Sequence, residues 1–276
     1  MWDSIIRYFS TLEQRPLERM AFLVGGMLFF WIIEGAIPLL PMRYKKNKWR
    51  HAGVNFSLTV IHLVIHTGLA IVIIKISDWT IANQFGVINW LQANVLATVL
   101  LTIVIVDFFG GWLVHLIEHK WRFFWRFHLV HHTDTNVDVT SGLRHHPVES
   151  VIRGLFFFAG ILLSGAPMYA VMIYQTILVF FTAFEHANIS LPAWLDKGMS
   201  YLFISPNMHK VHHHWKQPYT DSNYGAILAV WDRIFGTYRH LDPKAIRYGI
   251  DKDFPNEKDE NLLLLLKRPF EPFDPK

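Results

Sequence analysis

The chain has 276 residues and no cysteine, which excludes disulfide bonds, thiolate metal ligands and cysteine-ligated iron–sulfur clusters. Hydrophobic residues make up 52% of the sequence, charged residues only 17% against roughly 25% in a typical globular protein, and the mean hydropathy is +0.23, so the composition indicates an integral membrane protein. The formal net charge of +4 is modest and the basic residues are scattered or lie beside apolar segments, which favours anionic lipid headgroups over nucleic acid as partners.

The first predicted elements are a short interfacial helix and a membrane span. Apolar side chains from Trp2 to Leu12 recur at helical spacing, which predicts that residues 1–19 form an interfacial helix, with a frayed terminus as the alternative. This amino-terminal segment is not expected to be a secretory signal, because a polar run precedes the apolar segment and no small-residue cleavage site follows it. Met20 to Leu40 is long enough to span a bilayer, and its Glu34 is expected to face protein or an interface.

A basic segment and a first hairpin of spans come next. Residues 42–51 hold the basic cluster Arg43, Lys45, Lys46, Lys48 and Arg50. Such clusters mark the cytoplasmic side of a membrane. Val54 to Ile76 and Val95 to Ile117 are further candidate spans, and the loop between them, which has no lysine or arginine, is predicted to lie outside.

A second hairpin is predicted from Gly154 to Asp196, a long segment without lysine or arginine that a turn at residues 164–167 divides. The two hairpins return both histidine-rich regions to the cytoplasmic side. We therefore predict an all-α integral membrane protein with about four transmembrane helices in two hairpins and a cytoplasmic helical cap carrying a histidine-rich dimetal site. Residues 1–276 form one domain in this prediction, with a surface tail at 241–276 in which the leucine run 262–266 is a packed helix face.

The strongest pattern in the sequence is a repeated set of histidines at ligand spacing. The sequences HLIEH at 115–119, HLVHH at 128–132 and HKVHHH at 209–214 place imidazoles three and four residues apart, on one face of a helix. The imidazoles at this spacing are His115, His119, His128, His131, His132, His209, His212 and His213. So many nitrogens exceed what one zinc or iron ion accepts, so two metal ions are the simplest solution, although imidazole alone does not identify the metal.

Further residues are candidates for completing the site. His186 is either a ninth ligand or an interfacial histidine, and His146 is a candidate ligand, orienting residue or substrate contact. Carboxylates in or beside the motifs are candidates to accept the outer N–H of a ligating imidazole: Asp107, Glu118, Asp134, Glu149 and Glu185. Asp107 lies deep in a span, where a buried carboxylate is best explained as one that orients a ligating imidazole.

The remaining histidines have simpler interpretations. His51, His214 and His240 are expected to be ordinary hydrogen-bonded residues. His62 and His66 lie within a span and are expected to be satisfied core residues or to line a substrate site.

Two other classes of function compete with an oxidising metal site. The pattern HxxEH at 115–119 occurs in some zinc peptidases, with the glutamate as general base, but a peptidase needs only three protein ligands and an open water position. A metal transporter would place its ligands near the middle of the membrane, whereas these gather at one end of the predicted spans. Both remain as alternatives to a two-metal enzyme.

The combination HLIEH, HLVHH, LRHHPVE, FEHAN and HKVHHH resembles the fatty acid hydroxylase and sterol desaturase superfamily of membrane di-iron enzymes. The resemblance covers about residues 100–240. It implies that the eight motif histidines are iron ligands and that His186 matches a less regular additional one. His145 stands where relatives often carry a bulky apolar residue and is not expected to be a ligand.

The resemblance also implies a reaction. Two iron ions and dioxygen would hydroxylate or desaturate a C–H bond of an apolar substrate that enters from the bilayer, such as a fatty acyl, ether lipid or sterol-like molecule. The sequence contains no dinucleotide-binding glycine motif and no cysteine, so electrons would come from an external donor such as a ferredoxin or a cytochrome b5-like protein. The expected location is the bacterial inner membrane or the endoplasmic reticulum, with the active site on the cytoplasmic side.

Overall fold

The computed structural model describes residues 2–41, 47–250 and 260–272. Within these ranges the protein is helical and contains no strand, only isolated bridges. The helices are α1 (Trp2–Ser10), α2 (Pro16–Ala36), α3 (Lys48–Ala82), α4 (Val87–Trp90), α5 (Val95–Asp107), α6 (Val114–Lys120), α7 (Arg122–His132), α8 (Pro147–Ser164), α9 (Met168–His186), α10 (Ala193–Met199), α11 (Pro206–His212), α12 (Val230–Ile234) and α13 (Leu262–Lys267).

Five segments in the described ranges are long and apolar enough to cross a membrane. They are Pro16–Ala36, Lys48–Trp90, Val95–Lys120, Pro147–Ser164 and Met168–His186. The third contains α5 and α6, which are joined by a π-helical turn at Phe108–Leu113. The all-α membrane fold is thus confirmed, but the five segments exceed by one the four helices of the two predicted hairpins. The additional segment is α2, which covers most of the apolar stretch predicted at Met20 to Leu40.

The spans pack as an antiparallel bundle. α8 contacts α3 and α5, while α9 contacts α2 and α5. The predicted turn of the second hairpin is confirmed, since α8 ends at Ser164 and α9 begins at Met168. At the opposite end of the bundle from this turn, α6, α7 and the last residue of α9 meet, and we call it the histidine end.

The opposite end, which we call the far end, is closed by two glycines in close contact. Gly86 and Gly165 both have a positive φ, of 97° and 72°, and a Cβ atom on Gly86 would lie only 2.4 Å from the backbone nitrogen of Gly165. The side-chain amide of Asn89 donates to the carbonyl oxygen of Phe85 at 2.6 Å and to that of Gly165 at 3.3 Å. Because only glycine fits both backbone positions, the corner between α3 and α4 can lie against the turn between α8 and α9.

The histidine end carries most of the structure outside the spans, including α7, α10, α11 and α12. The buried carboxylate of Glu34, at the end of α2, accepts from the backbone nitrogens of Val139 and Asn188 at 3.1 Å each, as expected for a residue that faces protein. Of the predicted basic cluster, Lys48 lies 3.9 Å from Glu34, while Arg43, Lys45 and Lys46 lie outside the described residues.

The two terminal regions pack against this bundle. α1 contacts α9, and the neighbouring Leu12 is buried in the main apolar core, so the amino-terminal helix lies at the far end. In the predicted surface tail, Leu265 of α13 is buried against Leu58 and Val130, which makes the leucine run a packed helix face. Residues 251–259 and 273–276 of that tail lie outside the described residues.

Candidate metal centre

Two adjacent groups of buried histidines lie at the histidine end of the bundle. Within each group, one ring nitrogen of every residue lies within 4.8 Å of the others. The five-histidine group consists of His115, His119, His128, His132 and His212, and the four-histidine group consists of His131, His186, His209 and His213. All nine histidines that the sequence analysis named as ligands fall into these two groups, including His186. The groups touch, since the rings of His132 and His213 stack with centroids 4.7 Å apart.

Within each group the imidazoles point Nε2 atoms at one another. In the five-histidine group, Nε2 of His128 lies 3.1 Å from that of His115 and 3.2 Å from that of His132. In the four-histidine group, Nε2 of His186 lies 2.8 Å from that of His209 and 3.2 Å from that of His131. A neutral imidazole has only one N–H, so when several rings point lone pairs at one another there are too few hydrogens to pair them all. A bound cation satisfies all of these lone pairs at once.

Backbone carbonyls accept from the outer ring nitrogens of four of the nine imidazoles. Nδ1 of His115 donates to the carbonyl oxygen of Tyr224 at 2.9 Å, and Nδ1 of His212 donates to that of Ser222 at 2.7 Å. Similar contacts join His131 to Arg144 at 3.3 Å and His186 to Thr182 at 2.8 Å. A carbonyl can only accept, so each of these imidazoles has its proton on Nδ1 and a lone pair on the inward Nε2.

Two carboxylates take the same position behind other members of the five-histidine group. Nδ1 of His128 lies 2.8 Å from Oε1 of Glu149, and Nδ1 of His119 lies 3.2 Å from Oδ1 of Asp221. Glu149 is fully buried and also accepts from Nδ1 of His145 at 2.8 Å and from Nε of Arg153 at 3.1 Å. The ligand atoms of His128, His145 and Glu149 also lie close enough to hold a metal ion. The short nitrogen–oxygen distances indicate instead a carboxylate that orients two imidazoles.

Glu118, the glutamate of the HxxEH pattern, lies outside both groups. It is fully buried, and its Oε2 accepts from Nη2 of Arg153 at 2.6 Å. Its neighbours His115 and His119 both belong to the five-histidine group. A general base of a peptidase must reach a metal-bound water, whereas this carboxylate is paired with an arginine behind the ligands.

Burial keeps the histidines outside the spans neutral. Loss of solvation lowers the pKa of His128 to about 4, although Glu149 opposes the shift. Burial, and then repulsion from neighbouring imidazoles, holds the pKa values of His131, His209 and His213 well below the usual range. A neutral imidazole is the form that binds a metal ion, so the cluster is ready for metal without losing protons.

Lys210 and Glu185 support the four-histidine group from behind. The Lys210 ammonium is buried and donates to the carbonyl oxygens of Glu185, at 3.3 Å, and His186, which anchors the end of α9. Burial lowers the pKa of this lysine to about 7. Oε2 of Glu185 has no hydrogen-bond partner in the described protein and lies 3.8 Å from Nδ1 of His209. A small rotation of either side chain would complete a carboxylate–histidine pair.

Other candidate residues from the sequence have roles away from the two groups. Nδ1 of His146 accepts from the backbone nitrogen of Val148 at 3.2 Å, and its Nε2 lies 3.3 Å from the carbonyl oxygen of Leu266, so both ring nitrogens are engaged. The structure does not bring His146 to either group. It caps the start of α8.

Asp107 acts on the site only at a distance. Its carboxylate accepts from the backbone nitrogens of Ile227 and Leu228, at 3.1 and 3.2 Å, and touches no histidine of the groups. Asp232 accepts from the backbone nitrogen of Tyr224 at 2.8 Å. Together these two aspartates hold the loop whose Tyr224 carbonyl orients His115.

Asp134 and the other histidines also lie outside the groups. Asp134 pairs with His51 at 3.0 Å, and although burial opposes it, the charge and hydrogen bond of His51 lower the pKa of this carboxyl. His214 accepts at Nδ1 from the backbone nitrogen of Arg247 at 3.2 Å. His62 donates from Nε2 to the carbonyl oxygen of His145 at 2.9 Å, and His240 is exposed. All four interpretations of these histidines as ordinary residues agree with their surroundings.

A cavity of about 220 Å³ leads from the histidine groups into the span region. His115, His131, His186 and His209 line its inner end. Most of the remaining lining comes from α3, α8 and α9, and His66 of α3 is one of these lining residues. An apolar cavity that ends at a histidine cluster within a membrane bundle can accommodate a hydrocarbon chain.

The backbone acceptors and Asp221 orient imidazoles, but the sequence pattern did not predict this role for them. A carbonyl leaves no trace in the side-chain pattern, so Tyr224, Ser222, Arg144 and Thr182 could not be identified as orienting residues. Asp221 lies in a loop after α11, more than a hundred residues from the His119 that it contacts. Asp221 directly precedes the sequence SNYG at 222–225, in which Ser222 and Tyr224 provide two of the backbone acceptors.

Known proteins share this histidine pattern. The family model described as fatty acid hydroxylase matches residues 99–237. The ornithine lipid hydroxylase OlsE of Rhizobium tropici is 26% identical over 172 residues, which are 62% of this chain and 50% of that protein. The alkylglycerol monooxygenase of Xenopus tropicalis is 30% identical over 152 residues, which are 54% of this chain and 32% of that protein.

A third relative is covered almost completely. The very-long-chain aldehyde decarbonylase GL1-8 of Oryza sativa subsp. japonica is 24% identical over 247 residues, which are 86% of this chain and 89% of that protein. The matches to the hydroxylase and the monooxygenases span half or less of those proteins. No solved structure matches the chain. The family model covers half of the chain, and the matched residues include all nine clustered histidines. This chain therefore belongs to the fatty acid hydroxylase family.

Proposed function

We propose that the protein is a di-iron, dioxygen-dependent hydroxylase or desaturase that acts on a C–H bond of a membrane lipid. One observation carries the proposal: nine buried imidazoles form two adjacent groups at the inner end of a largely apolar cavity between membrane spans. Neutral nitrogen ligands next to a lipid-accessible cavity suit an oxidising metal centre.

The donor set fits two metal ions. The five-histidine group and the four-histidine group each offer enough nitrogens for one ion, and six of the nine imidazoles have their outer N–H already paired to a carbonyl or a carboxylate. We propose iron at both positions, on the basis of the family to which the chain belongs. When bound, such a centre supplies the activation of dioxygen and the removal of hydrogen from an unactivated carbon, which no protein side chain can do alone.

The protein's own residues bind the substrate and exclude water. Leu69, Phe157 and Leu178 line the cavity from three different helices and would hold a hydrocarbon chain against the four-histidine group. The histidines of both groups are almost inaccessible to solvent, so the protein would keep water away from a substrate carbon at the inner end of the cavity. The related proteins are named for an ornithine lipid, an alkylglycerol and a very-long-chain aldehyde. These names support a lipid substrate for this chain, whether fatty acyl, ether lipid or sterol-like.

We further propose that the protein lies in the bacterial inner membrane or in the endoplasmic reticulum membrane, with the histidine end on the cytoplasmic side. Lys120, Arg122, Lys197 and Lys216 lie near this end, which agrees with the excess of basic residues on cytoplasmic surfaces. An external ferredoxin or cytochrome b5-like protein would deliver electrons there. Residues 1–276 would act as one domain, since both terminal helices pack against the same bundle.

The test is lipid analysis of cells grown under labelled dioxygen. Cells that express the protein should contain a lipid species shifted by one ¹⁸O atom, or by the loss of two hydrogens, and cells that express His212→Ala should lack it. A product that also forms without dioxygen, or with the variant, would contradict the proposal.

A further inference from the structure

An arginine side chain lines the cavity next to the histidine groups. Arg153 is one of the residues of α8 that face the cavity, and 27% of its side chain is accessible. Charged side chains within membrane spans are rare and mostly have a functional purpose. The contacts of each guanidinium nitrogen show what this arginine offers to a molecule in the cavity.

Two buried carboxylates hold the guanidinium in place. Nε of Arg153 donates to Oε1 of Glu149 at 3.1 Å, and Nη2 donates to Oε2 of Glu118 at 2.6 Å. Both carboxylates are fully buried. Oε1 of Glu149 also lies 2.8 Å from Nδ1 of His128, so only one carboxylate separates the guanidinium from the five-histidine group. The position of the guanidinium is therefore fixed before any substrate binds.

The third nitrogen of the guanidinium has no partner of this kind. Nη1 carries two hydrogens, and no residue in the described part of the chain accepts a hydrogen bond from it. An arginine keeps its proton in proteins, so Nη1 is a donor whatever the charges of the neighbouring groups are. A donor without a partner is unfavourable in a largely apolar cavity, and an oxygen atom of a bound molecule would satisfy it.

We propose that Arg153 binds a hydrogen-bond-accepting oxygen atom of the lipid substrate, such as a carbonyl or ether oxygen. The proposal rests on the proposed lipid-oxidising function and names the group by which the substrate is held. A saturated hydrocarbon offers the guanidinium no acceptor and would leave Nη1 unpaired. The cavity thus selects lipids with an oxygen function over alkanes.

The place of Arg153 in the cavity also orients the lipid. Ser77 of α3 donates to the carbonyl oxygen of Ala166 in the turn at the far end, and Ile73, about one turn earlier on α3, lines the cavity. Phe158 lines the cavity beyond Arg153 on α8, toward the same end. A lipid whose oxygen is at Arg153 therefore has its hydrocarbon chain toward the far end. The carbons nearest the oxygen, and not the tail, then lie beside the histidine groups.

The first test is a binding competition that requires no turnover. Full-length protein is purified in detergent with its bound metal, kept free of dioxygen and saturated with tritiated methyl palmitate. Unlabelled methyl palmitate or octadecane, which has the same number of atoms in its chain, then displaces the label. We expect octadecane to compete about tenfold more weakly, because only the ester has an acceptor. Equal competition by octadecane, or no saturable binding of the ester, would overturn the proposal.

A second competitor tests the orientation. Octyl nonanoate is an isomer of methyl palmitate whose ester lies in the middle of the chain. With this ester at Arg153, roughly half of the carbons would be forced against the histidines at the inner end of the cavity. We therefore expect octyl nonanoate to compete about fivefold more weakly than methyl palmitate. Equal competition by the two isomers would contradict the orientation.

A pair of variants assigns the preference to the guanidinium. Glu118→Gln combined with Arg153→Met removes the donor together with a carboxylate that would lose its partner, and should reduce the ester-to-alkane difference to less than about twofold. Glu118→Gln alone is the matched control and should keep the full difference, because its amide oxygen still accepts from Arg153. Partitioning into the detergent is the same for both proteins and cancels. A double variant that keeps the full difference would show that another cavity residue, such as Gln175, holds the oxygen.

The binding site and the proposed function fail separately. If the preference for the ester is found but no oxidised lipid forms in cells, the proposed function fails while the binding site stands. If oxidised lipid forms in cells but the purified protein shows no preference for the ester, the binding site fails while the proposed function stands.

Discussion

The nine clustered imidazoles differ in what holds their outer nitrogen, and this difference decides which of them can be tested individually. Four rest on backbone carbonyls, which no substitution removes. His128 and His119 rest on the carboxylates of Glu149 and Asp221. These two carboxylates are therefore the residues through which the orientation of a ligand can be changed without deleting the ligand.

Glu149→Gln should weaken metal binding while leaving all nine histidines in place. The amide keeps the volume of the side chain but loses the charge that orients His128 and balances Arg153. We expect metal affinity to fall by roughly 10- to 100-fold, as for other residues that support a metal-bound histidine. Metal retention during titration with a chelator measures the effect.

The matched control for that variant is Glu18→Gln. It makes the same chemical change in a partly exposed pair with Arg15 near the far end. Its chelator titration should coincide with that of the wild-type protein. A Glu149→Gln protein that also coincides with wild type would show that Glu149 does not position His128.

Sequence reasoning succeeded at this scale where side chains repeat and failed where the backbone acts. Spacing within HLVHH and HKVHHH groups histidines on helical faces, and the structure finds each of them except His214 in a group. Spacing could not divide them correctly, because His131 and His132 are adjacent in sequence yet belong to different groups. Consecutive residues on a helix point about 100° apart, so one short helix serves both groups.

At the scale of elements, the π-helical turn between α5 and α6 is the feature that no periodicity predicted. The sequence FFGGWL at Phe108–Leu113 lies inside the apolar run of the predicted span Val95 to Ile117, where hydropathy gives no sign of a change in helix type. A π turn inserts about one extra residue and rotates everything after it by about 100°. Gly110 and Gly111 lie within this turn, where a Cβ would come within 3.1 Å of Phe157 and 3.0 Å of Ala226. His115 and His119 follow immediately.

The glycine contact at the far end gives a test of how the spans are held together. Gly86→Ala should destabilise the protein by ~2 kcal/mol or more, since it adds a methyl group 2.4 Å from the backbone of Gly165 to the strain of a positive φ. Thermal unfolding in detergent, followed by the fluorescence of the 11 tryptophans, measures the change.

Gly236→Ala separates the two causes. Gly236 also has a positive φ, of 70°, but no atom lies within 4 Å of a Cβ at that position. It should therefore cost only the backbone strain, roughly 1 kcal/mol. Equal losses for the two variants would show that the contact with Gly165 does not matter.

At the scale of the whole molecule, the five spans separate the amino-terminal helix from the histidine groups, which lie at opposite ends of the bundle. α1 and the start of α2 lie at the far end, and every residue of the histidine groups lies at the other. Hydropathy located all five apolar stretches, because length and composition suffice for that. Hydropathy did not predict how α2 packs. Most of its apolar side chains are exposed, and its few buried residues do not define a packing face in the sequence.

The orientation can be measured because the chain has no cysteine of its own. Single cysteines in place of Ser4, at the far end, and of exposed His240, near the histidine end, should react differently with a membrane-impermeant maleimide in spheroplasts. We expect Ser4→Cys to be labelled at once and His240→Cys only after permeabilisation. The reverse pattern would place the metal centre on the outer face.

The central claim is that the two histidine groups hold one iron ion each, and metal analysis of the purified protein tests it most directly. Protein produced in iron-supplemented cells without added zinc should contain about two iron ions per chain, with about one lost in His119→Ala and about one in His186→Ala, since each variant breaks only one group. A single zinc ion per chain, lost in His119→Ala but retained in His186→Ala, would contradict the account and favour a hydrolytic site.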